Sequence, residues 1–232
     1  MHEILGPEQL ETLRNMDTCT ICNAVETMGV RGHLEGHFSL GTRCLLPHLG
    51  VMLGYAVTVV VDASTEGVQA APEPWEAWLR AMQAAPRPGV LVFKDAGPQP
   101  RQAAHFGEQM ATIARRFGVT GIVTDGGLRD IQQLERLGFH CFGPGVVPSH
   151  GNPRLIDVNV PVRIDGVHVK PGDLLHGDAN GLTTIPAPLA PQVLEIAIRQ
   201  MNDERRRLAY FAGPDFTIEG LMRLYRGDTS ML

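Results

Sequence analysis

Gly118-Val119-Thr120-Gly121-Ile122-Val123-Thr124-Asp125-Gly126-Gly127-Leu128-Arg129-Asp130 is the stretch that organises this chain of 232 residues. Gly121-Ile122-Val123-Thr124 reads as a short buried strand and Asp125-Gly126-Gly127 as a loop. Residues 129–137 follow as a helix, with Ile131 and Leu134 inward and Gly138 as its stop. Upstream, 105–117 carries Met110, Ile113, Ala114 and Phe117 at i, i+3, i+4 and i+7, which predicts a helix. Downstream, 139–142 reads as a further strand. Strand, loop, helix and strand in this order point to a parallel βαβ unit. Loops at the carboxyl ends of such strands are where ligands commonly bind.

Working outward, 51–61 and 89–93 are apolar runs rich in β-branched residues and read as buried strands. A short helix is expected within 70–87, around Trp75, Leu79 and Met82. Residues 10–28 read as one helix, with Asp17 or Thr18 as a cap, Ile21, Val25 and Met28 on one face, and Gly29 as the stop. The second half changes character. Residues 155–162 alternate around Ile156, Val158 and Val160. Asp165-Gly166 is a hairpin signal between two short β runs. Pro171-Gly172-Asp173 and Ala179-Asn180-Gly181 mark two more turns. A long helix over 188–208 follows, and the tail from 212 reads as irregular, poised to dock on a neighbouring subunit. The pattern is an α/β fold, taken as one compact domain over 1–232, with neither an internal repeat nor a low-complexity linker.

Composition excludes several classes. Apolar residues make up 44% and charged residues 19% of the chain, which suits a packed core rather than disorder. A net charge of −5 gives no reason to expect a nucleic-acid partner, and Arg205-Arg206-Arg207 reads as a solvated helix face. No stretch approaches the roughly 20 apolar residues that span a bilayer. The first residues lack a basic segment followed by an apolar run, so a signal peptide is not expected either. A cytoplasmic protein without membrane contact is the expectation. Cys19, Cys22, Cys44 and Cys141 are too scattered for a disulfide framework.

Cys19-Thr20-Ile21-Cys22 spells CxxC inside a helical pattern with no preceding strand and no second CxxC, so small helix residues are the simpler reading. His33 and His37 stand four apart, but Gly32 and Gly36 weaken any helix that would bring the rings together. GxGxxG, P-loop and GxSxG motifs are missing. Arg129-Asp130 is different. An Asp at a helix start can be a cap in the favourable field of the dipole. It can equally hold a hard divalent cation through oxygen, with waters filling the shell, while Arg129 binds a carboxylate or a developing enolate. Both readings stand on these residues alone. Gly107-Glu108-Gln109-Met110 opens the preceding helix, where free N–H groups can bind a carboxylate. Glu108 there is either an ordinary first-turn acid, a support for a metal's waters, or a base.

These stretches together resemble the RraA-like family, which contains 4-hydroxy-4-methyl-2-oxoglutarate aldolases and regulators of ribonuclease E. The resemblance runs through 107–112, 118–130, Gly145-Val146-Val147-Pro148, 158–162, 169–173 and 178–186, and covers roughly 17–205. It implies an α-β-β sandwich of the swivelling, phosphohistidine-domain-like type, assembled as trimers or hexamers with sites at subunit interfaces. It also implies a metal-dependent pyruvate aldolase using Mg²⁺ or Mn²⁺, with oxaloacetate decarboxylase side activity. By position, Asp130 matches the metal ligand and Arg129 the substrate-binding and catalytic Arg. Glu108 falls where an acid supports the metal's waters, and Gln109 and Met110 where backbone amides meet the pyruvate carboxylate. Glu204 is the choice for an acid from the adjacent subunit. Gln133 and Asn23 depart from the family's usual acids at those positions. The alternatives are a non-catalytic regulator that binds a ribonuclease or helicase, and a metal-dependent lyase acting on another oxo acid.

Overall fold

The computed structural model describes residues 5–232. In chain order its elements are α1 (Pro7–Arg14), α2 (Thr18–Thr27), β1 (Arg43–Cys44), β2 (Met52–Asp62), α3 (Glu73–Ala84), β3 (Gly89–Asp95), β4 (Ala104–Phe106), α4 (Glu108–Arg116), β5 (Val119–Thr124), β6 (Gly127–Leu128), α5 (Ile131–Arg136) and β7 (His140–Gly143). The second half adds β8 (Arg154–Val158), β9 (Val162–Ile164), β10 (Val167–Val169), β11 (Leu174–Asp178), β12 (Gly181–Ile185), α6 (Ala190–Ala212) and α7 (Ile218–Tyr225). The main sheet runs β1-β7-β5-β3-β2-β11-β12, with β8 also paired to β2. Its centre, β2-β3-β5-β7, is parallel, as the βαβ order predicts. Its flanks are antiparallel. The sheet curls until β1 approaches β12, giving a nearly closed barrel.

Alternation along β2 distributes its side chains among separate apolar clusters. Val57, Val59 and Val61 pack with Trp78, Met82, Phe93 and Phe106 beneath α3, α4 and α5. Ala56 faces the interior with Val90, Val92, Val123 and Phe142, where the β9–β10 hairpin supplies Val162, Ile164, Val167 and Val169. Leu53 and Tyr55 meet α1, α2 and α6. Asp165 and Gly166 both take positive φ (50° and 86°), as a type I′ hairpin turn requires.

Several boundaries differ from those expected. The helix predicted over 10–28 is two helices. Asn15 Nδ2 caps the end of α1 on Glu11 O. Asp17 then starts α2 by accepting the Thr20 N–H and hydroxyl. The long terminal helix extends to Ala212, and the tail beyond it holds α7, capped by Thr217. The alternation predicted over 155–162 breaks at Asn159, whose φ of 57° turns the chain out of β8.

A buried clasp holds the α1–α2 break to β11. His176 is fully enclosed, with Nδ1 3.0 Å from Thr18 Oγ1 and Nε2 3.0 Å from Leu13 O. Burial pushes its pKa below the usual histidine value of 6.5. Below that pH the unfolded chain binds a proton that the fold resists, so stability is present above it and lost as pH falls, by at most about 1.4 kcal/mol per pH unit. The urea midpoint is expected to drop between pH 7.5 and 5.5, and His176→Gln should flatten that slope. An equal slope in the variant would assign the pH dependence to other groups.

Candidate functional site

Two βα units bring the candidate residues together. β4 pairs with β6 in parallel, Ala104 beside Gly127 and Phe106 beside Leu128, and the Arg129 N–H donates to Phe106 O at 3.1 Å. The chain beyond β4 therefore opens α4 next to the point where the chain beyond β6 presents Arg129 and Asp130. The helix expected from 105 thus starts only at Glu108. Residues 104–106 are extended because this pairing, and a buried site for the His105 ring, outweigh the local helical period. The helix expected from 129 starts at Ile131.

Asp130 stands before α5 with φ 58° and ψ 38°, a left-handed conformation that Asp tolerates better than most residues. Its side chain does not cap its own helix. It turns to α4, whose N-cap residue Gly107 has no side chain to offer, and Oδ2 accepts the Glu108 N–H at 3.0 Å. The same oxygen lies 3.6 Å from Arg129 Nε. Both readings of this Asp are compatible with the arrangement: one oxygen caps a helix, and no described residue bonds Oδ1.

The pair borders a cleft of about 180 Å³. Gly107, Gln109, Met110, Arg129 and Asp130 line one part of it, and Trp75, Phe106, His150 and Pro153 another. The side chains of Arg129 and Asp130 are 34% and 32% exposed, so neither is sealed inside. The N–H groups of Gln109 and Met110 fall in the first turn of α4, where no intrahelical acceptor exists. Glu108 presents an exposed side chain at the helix start and is not among the cleft-lining residues; its backbone N–H makes the contact to Asp130.

A hard divalent cation wants oxygen donors and can keep several waters. The cleft offers Asp130 Oδ1, and Gly107 lets the carboxylate close on α4, for a Cβ there would stand 2.4 Å from Oδ2 and 3.0 Å from Arg129 Cγ. No group of three or more His, Cys, Asp or Glu suited to a metal occurs among the described residues. The donor set therefore suits a largely hydrated ion on one carboxylate.

Glu204 is not in this cleft. It lines a larger cavity of about 760 Å³ between α2, α6 and α7, together with Asn23, Glu26, His33 and Asp203. Gln133 donates its backbone N–H to Asp130 O at 2.9 Å, in the first turn of α5. His33 and His37 lie in a loop, as the flanking glycines predict. Sequence reasoning missed His105, Asp95 and Thr124, which meet in a buried polar cluster that reaches the cleft wall at His105. A polar residue inside an apolar run, His105 between Ala104 and Phe106, was the available signal.

With fold and geometry in view, the class follows: the RraA-like family model, Aldolase/RraA, matches residues 18–184, and the chain belongs to that family. It is 34% identical over 130 residues to a protein of Halalkalibacterium halodurans named "Putative 4-hydroxy-4-methyl-2-oxoglutarate aldolase", covering 56% of this chain and 61% of that one. The chain thus spans about three fifths of that relative's length. A protein of the same name from Xanthomonas campestris pv. campestris is 34% identical over 120 residues, 51% of this chain and 70% of that one. Among solved structures, a protein from Pseudomonas syringae pv. tomato superposes with a TM-score of 0.76 at 24% identity, over 97% of both chains. Streptomyces coelicolor RraAS2, described as an unusual member of the RNase ES inhibitor RraA protein family, gives 0.69 at 25% identity, over 88% of this chain and 99% of that one. No helix among the described residues is long and apolar enough to cross a membrane.

Gly107→Ala should force Arg129 and Asp130 apart from α4 at a cost of about 1–3 kcal/mol. Hydrogen exchange at the Glu108 amide is the measurement: it should rise by more than the change in global stability explains. Exchange that merely tracks the urea midpoint would show that the cradle can adjust.

Proposed function

We propose that this chain is a metal-dependent pyruvate aldolase, cleaving 4-hydroxy-4-methyl-2-oxoglutarate or a related 4-hydroxy-2-oxo acid, with oxaloacetate decarboxylation as a side reaction. The observation that carries this reading is the juxtaposition of Asp130, Arg129 and the first turn of α4 on one open cleft. The relatives' names point the same way. The curled sheet with its covering hairpin is in keeping with the swivelling, phosphohistidine-domain-like type.

Asp130 Oδ1 would hold Mg²⁺ or Mn²⁺, with Glu108 supporting the ion's waters. Bound there, the ion would supply Lewis-acid withdrawal of electrons from the 2-oxo acid. The N–H groups of Gln109 and Met110 hold the substrate carboxylate at the positive end of α4. Glu108, through a water, takes the proton of the C4 hydroxyl. The C3–C4 bond then breaks, its electron pair stays on the pyruvate half as enolate, and the C4 oxygen becomes a carbonyl. The Arg129 guanidinium would stabilise the enolate charge as it develops. Oxaloacetate yields the same enolate with CO₂ as the departing fragment.

Asn23 and Glu204 share the second cavity, away from Asp130. In the proposed homotrimer or hexamer that face serves a neighbour's cleft, Glu204 adding the acid this chain's own cleft lacks. RraAS2 favours a second reading, a regulator that binds a ribonuclease. The third, a lyase on another oxo acid, follows from Gln133.

A coupled pyruvate assay on oxaloacetate and a panel of 4-hydroxy-2-oxo acids, with and without Mg²⁺, separates these. Metal-dependent pyruvate release is expected in the wild type and none in Asp130→Ala; activity in that variant with unchanged metal affinity refutes the assignment. Arg129→Lys should lower kcat at least about tenfold, because an ammonium lacks the planar fork. Normal turnover in that variant would make Arg129 structural.

A further inference from the structure

His105 is the cleft residue that the reaction above leaves without a part. It borders the cleft beside Gly107, Arg129 and Asp130, yet its side chain is only 1% exposed. The ring stacks on Phe93 at 5.5 Å between centroids. Nδ1 faces Asp95 Oδ2 at 3.4 Å. The contact falls short of hydrogen-bond geometry, and neither atom has a hydrogen-bond partner among the described residues. On the far side of the ring, Nε2 lies 3.1 Å from Thr124 Oγ1, which also accepts the Gly126 N–H at 3.0 Å.

The direction of the protons is assigned from this network. Asp95 Oδ2 is a buried acceptor facing Nδ1, so Nδ1 carries a proton. Nε2 is then a bare lone pair and takes the Thr124 hydroxyl proton. The hydroxyl's own lone pair takes the Gly126 N–H. A proton on Nε2 instead would leave the Thr124 hydroxyl proton without an acceptor. Asp95 is itself fixed, its Oδ1 accepting the Gly97 N–H at 2.8 Å and its N–H donating to Asp125 Oδ1 at 2.9 Å.

The ring sits on β4, the strand that leads into Gly107 and Glu108. Its one hydrogen bond, to Thr124, ends where β5 enters the turn that leads through β6 into Arg129 and Asp130. The fit against that turn is close: a Cβ on Gly126 would lie 2.6 Å from the ring Cε1. We propose that His105 is a positioning residue: held in one tautomer by Asp95, it ties the 125–127 turn to β4 through Thr124 and so sets the spacing between Asp130 and the start of α4. The proposal rests on the aldolase reading only for what that spacing serves.

The test compares His105→Gln, whose amide can still reach Thr124, with His105→Asn, whose shorter amide can reach only Asp95. Thr124→Val removes the hydroxyl at nearly constant volume. Three quantities are measured on the full chain: hydrogen exchange at the Glu108 amide, which reports its bond to Asp130; Mn²⁺ affinity by electron paramagnetic resonance, with Mn²⁺ alone as the probe; and the urea midpoint. His105→Asn and Thr124→Val should each speed Glu108 exchange and weaken Mn²⁺ binding about 10–100-fold, the usual effect of losing a ligand's supporting partner. His105→Gln should stay within about threefold of wild type despite a comparable urea midpoint. Equal behaviour of Gln and Asn, or Glu108 exchange that only follows global stability in Thr124→Val, overturns the proposal. If the wild type releases no pyruvate from any oxo acid, the aldolase reading fails while Glu108 exchange still decides the positioning role.

Discussion

One carboxylate, Asp130, caps a helix to which it does not belong. Its left-handed backbone costs roughly 1–2 kcal/mol. The bond from its Oδ2 to the Glu108 N–H is charge-assisted, worth about 1.5–3 kcal/mol, and lies at the positive end of α4. The two terms are of the same size, so the strained conformation persists without a bound ligand. The consequence is geometric. Two βα units that contact each other mainly through short β4 and β6 are fixed at their tips, and the carboxylate's second oxygen is left for something outside the chain. A residue capping its own helix would have spent its side chain there. The left-handed turn is what allows the same Asp both to join two elements and to face a cleft.

The curled sheet explains why this happens where it does. The parallel strands β3 and β5 end at Asp95 and Thr124, so their carboxyl ends deliver polar groups just as the chain leaves the apolar core. Lys94 and the Asp95 N–H both bond the Asp125 carboxylate, which anchors the first residue of the turn to β3. The Gly126 amide is held by Thr124. By the time the chain reaches Arg129 little freedom remains, and a planar guanidinium can be offered at a defined place with small entropic loss.

Residue patterns with a local cause were legible. Asp165-Gly166 required a tight hairpin, and it is one; the β-branched runs of β2, β3 and β5 had to be buried strands. The Arg129-Asp130 pair was recognisable as chemistry because two opposite charges followed directly on an apolar strand and a Gly turn. What was not legible depends on partners distant in sequence. Asp130 bonds a residue 22 positions away. Thr18, at the start of α2, is held by Asp178, 160 positions away, which helps divide what reads as one continuous amphipathic helix. His105 looked like the first turn of a helix because Met110, Ile113 and Phe117 set the period, whereas Asp95 and Thr124 decide its conformation. The tail reads as irregular because α7 is a short helix whose Thr217 cap is visible only once the chain has turned back toward Tyr210.

The same logic bears on assembly. A single carboxylate serves the Asp130 cleft, whereas Glu26, Asp203 and Glu204 crowd the cavity formed by α2, α6 and α7. Asp203 is paired with Arg206 and Glu26 with His33, which leaves Glu204 as the carboxylate of that cavity without an ion pair among the described residues. Leu208, Phe211, Ile218 and Tyr225 are 41–79% exposed along α6 and α7, and apolar side chains grouped in this way mark a surface suited to contact. Copies that place the acidic, apolar-edged face of one against the Asp130 cleft of the next would cover these side chains. In the proposed aldolase such a contact would carry Glu204 and Asn23, which lie apart from Asp130 within one chain, to a neighbour's cleft.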